Sequence, residues 1–187
     1  MENPKADDLE LACYLHEAGH ATVAHVLGLV TSEVVCDGQS GHCEAGLDPE
    51  AWARLTELFR LKDAGQLTAD QLLPLAIETN WPHLVMLMGG IAGESLESGR
   101  TIYGTRRASD DIPSFFGFLT IVTRHLEASQ NDPVLRDSFQ KAQDEAWKIV
   151  WGHAQRVREL ASRLKVAGRL GADDLREFWK VPGPAAG

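Results

Sequence analysis

The sequence predicts a mainly α-helical fold, α+β overall, with one small β-hairpin or pair of short strands. Apolar residues recur at helical spacing over long stretches, of which Leu9 to Leu29 is the first. Two further stretches begin with a capping residue followed by proline, Asp48-Pro49 and Asn131-Asp132-Pro133, which is typical of helix starts. β-Branched residues are concentrated instead at 31–37, just before the glycine-containing turn at 38–41.

The length of 187 residues is enough for one domain with a substantial core. Neither an internal repeat nor a linker-like stretch divides the sequence. We therefore expect a single domain over 9–180, between a disordered lead-in over 1–8 and a disordered tail rich in Pro and Gly over 181–187.

The net charge of −9 argues against broad classes of partner. Nucleic acids and anionic membrane surfaces both attract proteins with a basic face, so we expect neither as a partner. No apolar run reaches the length needed to cross a bilayer. The first residues, Met1-Glu2-Asn3-Pro4, are polar and acidic and do not resemble a signal peptide, so we expect a cytoplasmic protein.

The stretch His16-Glu17-Ala18-Gly19-His20, inside the first predicted helix, indicates a metal site of the H-E-x-x-H type. Residues four positions apart lie on the same face of a helix, so His16 and His20 can offer two imidazole nitrogens to one ion. Glu17 lies beside that face, where a carboxylate can take a proton from an attacking water. Two imidazoles, an oxygen ligand and one open position favour Zn²⁺. The alternative is a pair of solvated histidines, or of histidines at the edge of the core.

The rest of the chain is predicted to be helical between its breaks. Thr68-Ala69-Asp70-Gln71 resembles a capping box that begins a helix ending near residue 79. The other helices are expected over 51–64, 83–96, 113–128, 133–166 and 173–179, with a break at 168–171.

Several residues could join the metal site, although each has a simpler interpretation. The three cysteines lack the spacing of a disulfide framework, so reduced thiols are expected. Cys13 precedes His16 by three residues, and a small buried residue is the favoured interpretation over a zinc ligand. His42 and Glu44 could approach the metal from the predicted hairpin, where exposed positions are the favoured interpretation.

Two further acidic positions are candidates for the same site. Glu94 lies toward the C-terminal end of a predicted helix, where an acid opposes the helix dipole, so a local partner would explain its presence. Asp110 and Asp111 precede another predicted helix, where capping is the simpler interpretation.

Three stretches, in order along the chain, resemble the peptidase domain of the FtsH-type membrane-anchored AAA zinc metalloproteases, peptidase family M41. The first is His16-Glu17-Ala18-Gly19-His20-Ala21 with Val23-Ala24-His25, and the second is Leu87-Met88-Gly89-Gly90-Ile91-Ala92-Gly93-Glu94-Ser95-Leu96. The third comprises Gly104-Thr105 and Ala108-Ser109-Asp110-Asp111-Ile112. A weaker fourth stretch, from Asp144 onward, is similar to the family's long final helix. The ordered set spans most of residues 9–179 and is more specific than any one stretch.

The resemblance implies a zinc endopeptidase with Glu17 as its catalytic base. The implied metal ligands are His16, His20 and an aspartate. The family's aspartate aligns with Asp111, and the asparagine that precedes it falls on Asp110, which is the alternative third ligand.

The resemblance also implies roles for two regions around the metal. Glu94 matches the family's acid near the site, where it is expected to orient a histidine, with direct ligation as the alternative. In the family an extended substrate lies beside an edge strand, and the stretch Cys36–Leu47 is the best candidate for that strand here.

No G-x-x-x-x-G-K-[ST] phosphate loop accompanies these stretches. We therefore expect an ATP-independent metalloprotease that hydrolyses unfolded or loosely folded polypeptides, with a separate unfoldase as a candidate partner. A homo-oligomer, specifically a hexamer, is expected by analogy with the family. Two alternatives remain open: a peptidase that acts on one specific regulatory protein, and a non-catalytic zinc-binding assembly or adaptor module that keeps the peptidase fold.

Overall fold

The computed structural model describes residues 6–46, 49–98, 111 and 133–180, and these residues are mainly helical. A small antiparallel sheet completes the described part, so the predicted fold class is confirmed. In chain order the elements are α1 (Ala6–Val26), β1 (Val30–Cys36), β2 (Gly41–Gly46), α2 (Pro49–Asp63), α3 (Ala69–Thr79), α4 (Trp81–Leu87), α5 (Gly89–Ser98), α6 (Pro133–Gly152), α7 (Ala154–Ala167), β3 (Arg169–Gly171) and α8 (Ala172–Lys180).

Helix α1 is the central element of the core. Every residue from Cys13 to Ala24 is buried, so this part of the helix is enclosed on all sides and not along a single stripe. It packs against α5, α7 and the sheet. The histidines of the H-E-x-x-H stretch therefore lie in the interior, which rules out the alternative in which they are solvated.

The contact between α1 and α5 is close because glycines form it. A methyl group built on Gly19 would collide with the carbonyl oxygen of Gly89, and one built on Gly93 would collide with the carbonyl oxygen of Leu15. With no side chains between them, the two helix backbones come into direct contact. The close packing of the two helices places Glu94 of α5 beside His16 of α1.

The sheet has the strand order β2-β1-β3, with both pairs antiparallel. Val34 and Cys36 of β1 are buried against the helices, and Val34 is paired with Cys43 of β2 and Leu170 of β3. The hairpin of β1 and β2 confirms the prediction. Strand β3 is a correction, because the sequence predicts only a break at 168–171, and three residues are too few for a recognisable strand pattern.

Two helices that the sequence predicts as continuous are each broken in the structure. The helix expected over 83–96 is interrupted at Met88, directly before Gly89-Gly90, which are poor helix formers. The helix expected over 133–166 is interrupted at His153, which follows Gly152 and has non-helical φ −118° and ψ 22°. The predicted helix over 113–128 lies outside the described residues.

The capping box predicted at the start of α3 is confirmed. The Thr68 side chain accepts a hydrogen bond from the Gln71 backbone N–H at 3.3 Å, and the Gln71 side chain accepts one from the Thr68 N–H at 3.0 Å. None of the helices in the described part of the chain is long and apolar enough to span a membrane.

Candidate metal centre

Four side chains singled out by the sequence are buried together. His16 and Glu17 are each 4 % exposed, His20 is 6 % exposed and Asp111 is 9 % exposed. Helical spacing places the two histidines one turn apart on α1, and Asp111 reaches them from a distant part of the sequence. Such a concentration of polar groups in a core requires partners, and the geometry shows what kind.

Two imidazole nitrogens and the two oxygens of one carboxylate converge on one point between these side chains. The two Nε2 atoms of His16 and His20 are 3.1 Å apart. Asp111 places Oδ2 at 3.2 Å from His16 Nε2 and Oδ1 at 3.3 Å from His20 Nε2. Tetrahedral zinc with bonds of about 2.0 Å separates neighbouring ligand atoms by roughly 3.3 Å. The two nitrogens and the carboxylate group therefore form a triangle of the size that a zinc ion would bind, in which each nitrogen faces a different carboxylate oxygen.

The hydrogen bonds of the two Nδ1 atoms determine whether each Nε2 atom carries a hydrogen or a lone pair. His20 Nδ1 donates a hydrogen bond to the carbonyl oxygen of Met86 at 2.8 Å, since a carbonyl can only accept. His16 Nδ1 lies 2.7 Å from Glu94 Oε1, and an ionised carboxylate also only accepts. A neutral imidazole has a single N–H, so both Nε2 atoms present lone pairs to each other and to Asp111. Such an arrangement is stable only with positive charge at its centre.

The electrostatics of the cluster show the same demand for positive charge. Burial alone would lower the pKa of His16, but hydrogen bonds to Asp111 and Glu94 outweigh it and raise the pKa to about 10. Burial is likewise outweighed at His20, where the Asp111 carboxylate raises the pKa. Asp111 itself, against the effect of burial, has its pKa held low by the two histidines. Either protons or a metal cation would satisfy these three groups.

The arrangement can accommodate a metal cation. The buried Oδ2 atom of Asp111 lies 3.2 Å from His16 Nε2, which could donate a hydrogen bond to it only if the His16 ring carried a second proton. The space at the centre is also kept clear, because a methyl group on Gly90 would lie 2.5 Å from His16 Nε2 and closer still to His20 Nε2. With two imidazoles and one carboxylate as donors, these residues fit a zinc ion.

Glu17 lies next to this cluster, beneath the start of β2. A methyl group on Gly41 would lie 2.8 Å from Glu17 Oε1, so the strand approaches the carboxylate as closely as glycine permits. Its other oxygen, Oε2, is buried and has no hydrogen-bond partner in the described part of the chain. Burial raises the pKa of Glu17, and the neighbouring His20 and His16 oppose that rise. A carboxylate in this setting can accept a proton and hold it.

The structure also places the other candidates for the metal site. Glu94 contacts Nδ1 of His16, the nitrogen away from the shared space, which suits the orienting role better than direct ligation. Cys13 is buried, with its sulfur 2.9 Å from that of Cys36. His42 is exposed and pairs with Glu33 at 3.2 Å. Glu44 is likewise exposed, and Asp110 lies outside the described residues.

Sequence reasoning missed three contributors to the site. Gly90 and Gly41 leave room for the ligand nitrogens and for Glu17, respectively, and the Met86 carbonyl fixes the His20 ring. The Gly89-Gly90 pair was visible in the stretch that carries the family resemblance, but nothing local to it assigned Gly90 to a metal site. A backbone carbonyl has no sequence signature, so the role of Met86 could not have been found.

No protein-family model matches the chain, and no curated protein matches it at a significant level. The resemblance to the FtsH-type peptidases therefore rests on the sequence motifs alone.

Proposed function

We propose that this protein is a zinc-dependent endopeptidase that hydrolyses peptide bonds in unfolded or loosely folded polypeptides. The observation that carries the proposal is the triangle of His16 Nε2, His20 Nε2 and an Asp111 carboxylate at 3.1–3.3 Å, with the Glu17 carboxylate beside it. Two nitrogens and a carboxylate leave one position open, as hydrolytic zinc sites require.

The chain's own residues would hold the metal in a fixed geometry. His16, His20 and Asp111 would bind it, while Glu94 and the Met86 carbonyl hold the two rings by their outer nitrogens. A zinc ion held there would supply Lewis acidity toward a substrate carbonyl and would make water more acidic.

Glu17 is the residue assigned to proton transfer. Its carboxylate takes a proton from the attacking water, holds it, and gives it to the nitrogen of the leaving amine. The residue must therefore be stable in the protonated form between the two transfers. Burial raises the pKa of Glu17 and so supports that requirement.

Strand β2 is the element assigned to substrate binding. Within the described residues β2 pairs with β1 on one side only, so its other edge retains backbone groups for an extended peptide. Gly41, the first residue of β2, lies directly against Glu17. A peptide aligned along β2 would therefore pass close to the proposed base.

The test is cleavage of casein, an unfolded protein, by zinc-loaded wild type and by Glu17→Gln. We expect the variant to lose at least about 100-fold in rate while keeping its zinc, since general-base catalysis contributes on that order. Glu10→Gln is the matched control, because it removes the same charge from the same helix at a surface pair with Lys165.

Each other outcome of this test has a definite meaning. Cleavage by Glu17→Gln at the wild-type rate would contradict the mechanism. Zinc bound by both proteins with no cleavage of casein would contradict the general endopeptidase. That result would favour the non-catalytic assembly module or a peptidase that acts on one specific regulatory protein.

A further inference from the structure

We propose that Gly90 is a positioning residue for the metal: the absence of its side chain keeps open the space in which the ion binds, so that any side chain at this position excludes the ion. This inference rests on the metal site of the proposed function. It goes beyond that function by assigning to one glycine of α5 a role in metal binding and not in helix packing.

The atoms around Gly90 carry the inference. The three atoms nearest to a methyl group built there all belong to the two ligand rings: His20 Nε2, His16 Nε2 at 2.5 Å and His16 Cε1 at 2.6 Å. A zinc ion bound by both nitrogens would lie about 2.0–2.1 Å from each of them. The methyl group and the ion would therefore compete for the same space.

A methyl group on Gly90 would lie within 2.6 Å of ring atoms even with no ion present, so the rings or α5 would have to shift and the two nitrogens would leave the positions in which they could share an ion. His16 is held through its contact with Glu94 at 2.7 Å, and His20 through its hydrogen bond to the Met86 carbonyl at 2.8 Å. Moving either ring would break a buried hydrogen bond, which leaves a buried polar group unsatisfied. Exclusion of the metal is thus the expected response to a side chain at Gly90.

The neighbouring glycines of α5 have a different role. Methyl groups on Gly89 and Gly93 would meet backbone atoms of α1, belonging to Gly19 in the first case and Leu15 in the second. Substitution there would push the helices apart. Gly90 and Gly93 therefore form a matched pair on one helix, one facing the proposed metal and the other facing backbone.

The experiment compares Gly90→Ala with Gly93→Ala in the full chain. Zinc affinity is measured by competition with a chromophoric chelator, and thermal unfolding is followed with and without zinc. For Gly90→Ala we expect zinc affinity to fall by at least about 100-fold, the upper end of what loss of a supporting contact causes, and the unfolding temperature to stop responding to zinc. For Gly93→Ala we expect a lower unfolding temperature in both conditions, with zinc still raising it.

A second background keeps the test decisive if Gly90→Ala folds poorly. In His16→Ala/His20→Ala the rings that the methyl group would meet are gone. Adding Gly90→Ala to that background should leave the unfolding temperature unchanged or raise it slightly, whereas adding Gly93→Ala should lower it. An equal loss from both additions would show that Gly90 serves helix packing, and would overturn the inference.

The failures of the two proposals can be told apart. Wild-type zinc affinity in Gly90→Ala overturns the role of Gly90 whatever the enzyme does. If wild type binds zinc without cleaving casein, and Gly90→Ala fails to bind zinc, the inference stands and the endopeptidase does not. If wild type itself fails to bind zinc, both proposals are wrong.

Discussion

The Nδ1 atom of His16 lies 2.7 Å from Oε1 of Glu94, and both residues are buried. The two residues are far apart in sequence and meet because glycines let α5 lie directly on α1. The contact fixes the orientation of the His16 ring and its N–H on Nδ1, which leaves Nε2 free to ligate a metal. The packing of two helices thus prepares one donor of the proposed zinc site.

Replacing Glu94 with Gln should weaken zinc binding without removing any ligand. The amide keeps the shape of the side chain but loses the charge that makes His16 a stronger donor, so zinc affinity should fall about 10- to 100-fold. Chelator competition would measure this change. Glu97→Gln is the control, since Glu97 lies on the same helix but is exposed and pairs with Arg158. Equal affinities for the two variants would contradict an orienting role for Glu94.

The third ligand can be identified by comparing Asp111→Ala with Asp110→Ala. Asp111 lies 3.2 Å and 3.3 Å from the two Nε2 atoms, so its loss removes a ligand and should reduce zinc stoichiometry in the purified protein to near zero. Asp110→Ala should keep about one zinc per chain. Metal content measured by mass spectrometry decides between them, and the reverse pattern would assign the ligand to Asp110.

The contact between α1 and α5 should be intolerant of any side chain at Gly19. A methyl group there collides with the carbonyl oxygen of Gly89, so Gly19→Ala should lower the free energy of unfolding by about 1–3 kcal/mol or more. Urea denaturation in the presence of a chelator would measure the free energy of unfolding without any contribution from bound metal. Gly152→Ala is the control, because nothing lies within 4 Å of that position, and it should be neutral or slightly stabilising. A Gly19→Ala variant as stable as the control would show that the helices can separate at little cost.

Patterns within a few neighbouring residues were sufficient to predict several helices and strands. The apolar run that forms α1, the β-branched run that forms β1, and the capping box at Thr68 were all visible in the sequence. The same helical period placed His16 and His20 on one face of α1 and so indicated a metal site. These features depend on residues within a few positions of one another, which a sequence records directly.

What the sequence missed depends on contacts between distant segments. Strand β3 exists because three residues after α7 pair with β1, which local propensity does not encode. The breaks at Met88 and His153 fall beside glycines, but many glycines do not interrupt a helix. The position of Gly90 against the two histidine rings follows from the orientation of α5 on α1. The resemblance predicted Asp111 as the third ligand, but its distances of 3.2 Å and 3.3 Å to the histidine nitrogens follow only from the three-dimensional fold.

The half-buried His83 should make the fold sensitive to mild acid. Burial, helped by the nearby His20, lowers the pKa of His83 to about 4, whereas the unfolded chain takes up that proton near pH 6.5. Between these pH values the unfolded state therefore binds more protons than the folded state. The free energy of unfolding is not reduced by His83 above about pH 6.5. It falls as the pH decreases toward 4, by up to about 3 kcal/mol from this residue. In metal-free protein, His83→Gln should lose less stability than wild type across that window, as measured by urea unfolding at several pH values. Parallel pH profiles for the two proteins would show that His83 is protonated equally easily in the folded and unfolded states.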